Sequence, residues 1–381
     1  MSQSPLPSVS PTIPHFELAT QWQLIKNDVE AAIKEVLESQ QYTSGAVSGP
    51  FIGRFEESLA QFVGAHVVAL SSGTDAILAA LMAMGIKRGH EVITTPFTFF
   101  ATAGCISRSG AKPVFVDIDP VTFLMRMDAI GNAVTRHTRA IMPVHLFGQM
   151  MDTTALLEFA EAHHLEVIED AAQCIGAVDP KGKQVAENAR CACLSFYPTK
   201  NLGAAGDAGA LATRDEKLAA RFMQTRQHGE VTRYHHEFVG GNFRMDAIQA
   251  AVLNAKLKYL PQWADRRRQI AAYYTQRFKG TDVRPPTEIA GSRHVYHQYV
   301  IRAPRRDQLR DYLTKQGVGC NIFYPKCLHL QQCFADLGYK KGQFPMAERA
   351  TQEVLALPVY PELTDAQTER IANTVLAFYK R

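Results

Sequence analysis

The sequence predicts an α/β protein: a mainly parallel central sheet with crossover helices, followed by a smaller C-terminal α+β domain. Three observations carry this. Short apolar runs recur from residue 66 onward: HVVAL (66–70), EVITT (91–95), PVFVDI (113–118), AIMPVH (140–145) and LEVIED (165–170). Most are separated by segments long enough for a helix, such as Thr74–Met84 and Asp152–His163. Continuous apolar strands are buried on both faces, so helices must cover the sheet on both sides. Finally, the composition turns loop-like near Gly280, and a second α+β pattern begins at HQYVIRA (297–303).

In chain order, residues 1–14 read as a disordered tail that lacks the basic start and apolar centre of a signal peptide. Thr20 to Gln40 carries Ile25, Val29, Ile33, Val36 and Leu37 at helical spacing. After the first five strands, ACLSFY (192–197) and GALAT (209–213) are joined by a glycine-rich turn and not by a helix. Helical pattern returns at Lys217–Gln227, Asp246–Leu257 and Gln262–Phe278, and the chain closes on a helix at Thr364–Tyr379. The expected division is a large domain over 15–260 and a small one over 261–381, a natural split for 381 residues.

Composition narrows the function. With 46% hydrophobic and 20% charged residues, the chain is an ordinary globular protein. A net charge of +4 is too weak to argue for nucleic acid, and the longest basic run is Arg266-Arg267-Arg268. No apolar stretch reaches membrane-spanning length. The seven cysteines are odd in number and form no CxxC pair, which argues for free thiols in a reducing, cytoplasmic compartment and against a disulfide framework or a metal site.

In an open parallel sheet, ligands bind beyond the carboxyl ends of the strands. After HVVAL comes Ser71-Ser72-Gly73-Thr74-Asp75, a helix start that either binds an anion or simply caps. After EVITT, Pro96-Phe97-Thr98-Phe99-Phe100 offers at most one aromatic platform, the rest being core. Glu169-Asp170-Ala171-Ala172-Gln173 places a carboxylate at a buried strand end, where it needs a cationic partner or a structural ion pair. Lys200, in SFYPTKNLG, is either a Schiff-base amine or a solvated lysine. Together these pieces fit pyridoxal phosphate. The phosphate lies on Gly73–Thr74 with Ser195, the ring stacks on an aromatic, Asp170 pairs with the pyridinium nitrogen, and Lys200 holds the aldehyde.

The stretches SGTDAILAAL, HEVITTPFTFFATA, GAKPVFVDIDP, PVHLFGQ, VIEDAAQ, SFYPTKNLGAAGDAGAL and GGNFRMDAIQAAVLNAKL occur in that order. In them the chain resembles the DegT/StrS family of sugar aminotransferases, fold-type I pyridoxal-phosphate enzymes. The resemblance implies Lys200 as the internal-aldimine lysine, Asp170 as the ring-nitrogen partner and Gln173 at the phenolic oxygen. It implies Gly73, Thr74 and Ser195 at the phosphate, Phe99 stacked on the ring, and Asn242 reaching the phosphate of a neighbouring subunit in a homodimer. Arg244, Tyr324, His329 and the Tyr234-His235-His236 cluster resemble substrate contacts. The implied reaction moves an amino group from L-glutamate, through pyridoxamine phosphate, to a nucleotide-linked keto-sugar, here a 3-keto sugar. Other readings are a cyclitol (inosose) aminotransferase, a sugar dehydratase and a non-catalytic cofactor-binding regulator. Dehydratase members carry histidine where Lys200 stands. The usual GDGGA is GDAGA here, at Gly206–Ala210, and the glycine pattern near residue 45 is looser than the family's.

Overall fold

The computed structural model describes residues 12–44, 48–187 and 189–380, so the loose glycine pattern around Gly45 lies outside the described residues. Seven strands form the central sheet: β1 (His66–Leu70), β2 (Glu91–Thr94), β3 (Lys112–Phe115), β4 (Thr138–Ile141), β5 (Glu166–Asp170), β6 (Cys191–Ser195) and β7 (Gly209–Thr213). Their order is β1-β7-β6-β5-β4-β2-β3. From β6 to β3 all pairings are parallel. β7 runs antiparallel between β1 and β6. The glycine-rich link to β7 has no crossover helix, and a strand entered by a tight link must run back beside its predecessor.

That reversal positions the site. Gly209, the first residue of β7, pairs with Leu70 at the end of β1 and with Ser195 at the end of β6. The loops leaving β1 and β6 are therefore neighbours, although 125 positions separate Leu70 from Ser195 (195 − 70).

Helices cover both faces. Residues Gly73–Ala83 follow β1, and their apolar side chains Ile77, Leu78 and Leu81 are buried against the sheet. Helix Pro50–Val63 was not anticipated from the spacing. It starts with proline at its first turn, ends at Gly64 (φ 67°), and buries Phe51, Ile52, Phe55, Leu59 and Val63.

The C-terminal part carries the pair Tyr299–Arg302 and Val354–Leu357, antiparallel, with helices Arg306–Lys315 and Asp365–Tyr379 around it. Two expected boundaries shift. Ile13, placed in the tail by sequence, is buried in this small-domain core and bridges Val318. A tail to residue 14 therefore runs too long at its end, because an apolar residue between Thr12 and Pro14 still finds a core position. Helix Leu260–Phe278 belongs to both units: Leu260 and Ala264 pack in the large core, while Ile270, Tyr274 and Phe278 pack in the small one. The division at 260/261 thus falls at the start of a shared helix. A second apolar layer joins the domains, with Phe97, Phe115 and Phe123 meeting Phe334, Phe344 and Val354.

Candidate active site

Asp170 ends β5 and is buried. Its Oδ2 accepts a hydrogen bond from Thr102 Oγ1 at 2.7 Å, and its Oδ1 accepts from the Ala172 amide at 3.3 Å. Burial pushes its pKa up, and these donors together with the Lys200 and His145 charges oppose the rise. A carboxylate in that position gains most from a cation placed against it. Thr102 is also buried, 3.1 Å from Thr98 Oγ1. Sequence reasoning missed it. Its signal is a hydroxyl on the otherwise apolar start of helix Ala101–Arg108.

Lys200 lies in the turn after β6, its side chain half-buried. Burial lowers the amine to about 8, while Asp170 and Cys174 act in the opposite direction. About a tenth is then neutral, and hence nucleophilic, at pH 7, far more than for an unshifted lysine.

Gln173 is held from both ends. Its Oε1 accepts from the Phe147 amide at 2.7 Å, and its Nε2 donates to Tyr324 Oη at 3.1 Å. This brings Tyr324, 151 residues away in sequence, onto the pocket wall. Burial raises the Tyr324 phenol above its usual range, so it stays a neutral hydroxyl.

The starts of the loops after β1 and β6 meet in a close approach, the candidate phosphate cradle. A Cβ on Gly73 would stand 2.5 Å from Ser195 Cβ and 2.9 Å from its Oγ. Only glycine lets the first turn of helix Gly73–Ala83 lie against Ser195, beneath amides that have no partner within the helix. Ser72 caps that helix, accepting from the Asp75 amide at 3.0 Å, and leaves the Gly73 and Thr74 end directed at the cradle. Helix-start amides and a serine hydroxyl are the donors a phosphate needs, and the small side chains leave room for it.

Of the three aromatics after β2, Phe97 is fully buried, Phe100 stacks on Phe334 with centroids 5.6 Å apart, and Phe99 is 58% exposed. Phe100 is 48% exposed, so Phe99 is the more exposed of the two and the one without a ring contact among the described residues. His145, which sequence reasoning also missed, is fully buried at the end of the segment after β4, its Nε2 3.3 Å from Glu169 Oε1. Its backbone amide donates to the Asp170 carbonyl at 3.0 Å, locking the two strand ends together.

The remaining residues separate into two groups. Arg244 bridges Leu70, the Ser71 amide donates to the Phe243 carbonyl at 2.9 Å, and Asn242 is exposed. This loop therefore sits at the edge strand β1, beside the cradle. Tyr234, His235 and His236 lie on an exposed hairpin, and Tyr234, His236 and Arg244 line an open cleft together. His329 is not brought to the others. Its side chain has no exposed surface, lies 3.2 Å from Glu348 Oε1 and packs on Phe344, so it lacks a face to offer a substrate.

A mostly parallel sheet with a small C-terminal domain, and a site at its strand ends, defines a fold-type I pyridoxal-phosphate-dependent transferase. Residues 23–376 match the DegT/DnrJ/EryC1/StrS aminotransferase family. The chain is 45% identical over 372 residues to the pleiotropic regulatory protein of Geobacillus stearothermophilus, covering 97% of this chain and 99% of that one. It is 38% identical over 365 residues to the UDP-N-acetyl-3-dehydro-alpha-D-glucosamine 3-aminotransferase of Acidithiobacillus ferrooxidans, covering 95% and 97%. The crystal structure of S. venezuelae DesV in complex with a ketimine intermediate superposes with a TM-score of 0.94 at 36% identity, covering 98% of this chain and all of that one. The chain belongs to the DegT/DnrJ/EryC1/StrS aminotransferase family. The family and the ketimine complex point to pyridoxal phosphate as the cofactor.

Proposed function

We propose that this chain moves an amino group from L-glutamate to a nucleotide-linked 3-keto sugar, with Lys200 as the cofactor-bearing amine and with active sites shared across a homodimer. One observation carries the reading. A half-buried amine lowered to about 8 sits in the field of a buried carboxylate, in the turn that leaves the strand ending at the glycine–serine cradle. The keto-sugar reading is supported by the substrate named for the A. ferrooxidans relative.

The cofactor, when bound, supplies an electron sink for the carbon from which a proton is lost. The chain's own residues do the rest. Gly73, Thr74 and Ser195 would hold the phosphate, and Asn242 of the neighbouring subunit would add to it. Phe99 would cover the ring face. Asp170, fixed by Thr102, would hold a proton on the ring nitrogen. Gln173, fixed by Phe147 and Tyr324, would face the phenolic oxygen. Lys200 would take a proton from the donor carbon and return it two atoms away, across the nitrogen, a task suited to an amine that titrates near working pH. Arg244, Tyr324 and the His235–His236 hairpin face the substrate. The exposed position of Asn242 at the sheet edge supports its reach toward a second copy.

The name of the G. stearothermophilus relative favours a second reading, a regulator that binds the cofactor without turnover. The two readings separate in one experiment. The pyridoxamine-phosphate form is incubated with UDP- and dTDP-linked 3-keto sugars, and the amino sugar is measured by mass. Product with at least one of them supports the aminotransferase, and none with any would favour the regulator.

A further inference from the structure

Lys256 is a buried amine that the chemistry above does not use. It lies near the end of helix Ala247–Leu257 and is 7% exposed. Lysine is almost never buried unless paired. Its Nζ donates to the Gly203 carbonyl at 2.6 Å and stands 5.9 Å from the Trp263 ring centroid. Burial lowers this amine to about 8, and Glu362 works against the fall.

Gly203 lies three residues beyond Lys200. The turn between them is tight: the Lys200 amide donates to the Tyr197 carbonyl and the Ala204 amide to the Phe196 carbonyl, both at 2.8 Å. A Cβ at Gly203 would fall 2.3 Å from the Pro198 carbonyl oxygen, so the backbone there has no slack. On one side Asn201 Nδ2 donates to the Val295 carbonyl at 3.0 Å. On the other stands Lys256. The same helix also meets the far arm of the loop, where a Cβ on Gly206 would come within 3.0 Å of Gln249 Nε2. A charge-assisted bond is roughly twice as strong as a neutral one, and burial protects it from competing water.

We propose that Lys256 is a positioning residue for Lys200: its bond to the Gly203 carbonyl pins the 196–204 turn to helix Ala247–Leu257 and so fixes where the Lys200 amine points. The inference rests on the reading of Lys200 as the cofactor-bearing amine. An amine displaced by about 1 Å loses on the order of a hundredfold in rate.

The test is Lys256→Met, which keeps length and loses the donor, with Lys256→Leu, which also lacks a donor, read in the same way should the first variant not accumulate as folded protein. Two quantities are measured: amide hydrogen exchange of the apoprotein, and the rate at which added pyridoxal phosphate is captured, trapped with borohydride and mapped to a peptide. The expected result is exchange faster by roughly tenfold at Lys200 and Ala204, with the amides of β4 and β5 unchanged. Capture at Lys200 slows by about tenfold or more. Unchanged exchange in the turn, or a uniform loss of protection with normal capture, would overturn the proposal. Trapping of the wild type at a lysine other than Lys200 would overturn the reading beneath it, while the exchange experiment still decides the anchoring.

Discussion

Lys200 and Asp170 show at the residue scale how burial shifts the protonation of common side chains. Lys200 is lowered to about 8 from 10.5, so its neutral form accumulates as pH rises past 8 and not past 10.5. The rate of pyridoxal phosphate capture by the apoprotein, followed by absorbance, should therefore climb through pH about 8 and level off above it. A rise centred near 10 would mean a solvated lysine. Lys200→Ala and Lys200→Arg should both abolish turnover and borohydride trapping, and normal transamination by Lys200→Arg would sink the mechanism. Asp170→Asn should keep the cofactor but lose turnover by roughly a hundredfold or more, because an amide cannot stabilise a charged ring nitrogen. Activity within a few-fold of wild type would make Asp170 structural. These two positions could be singled out in the sequence because Asp170 ends β5 and Lys200 stands in the turn after β6, where local pattern and fold rule coincide. Thr102 and His145 could not. Their meaning comes from bonds across 68 positions in one case and from a buried face shared by two strands in the other.

At the scale of elements, what mattered was the reversal of β7, which sets the ends of β1 and β6 side by side. Gly73→Ala tests that closeness. The new methyl must move Ser195, and affinity for pyridoxal phosphate should fall by about tenfold, or about 1.4 kcal/mol, with some loss of melting temperature from the same clash. Unaltered affinity by titration would remove the cradle from the phosphate. The 240–244 loop is tested by mixing subunits. A Lys200→Ala chain and an Asn242→Ala/Arg244→Ala chain, each inactive, should regain activity when dissociated and reassembled, since a two-fold hybrid holds one intact site. Verified hybrids with no activity above the parents would place the loop in its own chain's site. Long periodic helices such as Ala19–Ser39 were readable from apolar spacing within a residue or two. Pro50–Val63 was overlooked, although its proline start and glycine stop are both present in the sequence.

For the whole molecule, two alternating patterns in sequence correspond to two packed units, but their seam is not a point on the chain. Ile13 completes the small core from the far end of the sequence, and helix Leu260–Phe278 is shared. Such long-range packing leaves no local trace, which is why boundaries drawn at 14 and 260 missed it. The small domain supplies Tyr324 to Gln173, so the site needs both units in place. Loss of the interdomain apolar layer, for instance by Phe334→Ala, should therefore cost about 3 kcal/mol of stability in denaturant unfolding and also weaken cofactor binding. The central claim, an amino group carried from glutamate to a keto-sugar by a cofactor on Lys200, is tested most directly by one spectral cycle. The holoprotein's visible absorption band is followed during addition of L-glutamate and then, after removal of excess donor, of a nucleotide-linked 3-keto sugar. The account predicts that the band bleaches with glutamate and returns with the keto-sugar in equal amount. A band that glutamate leaves untouched, or one that no keto-sugar restores, would contradict it.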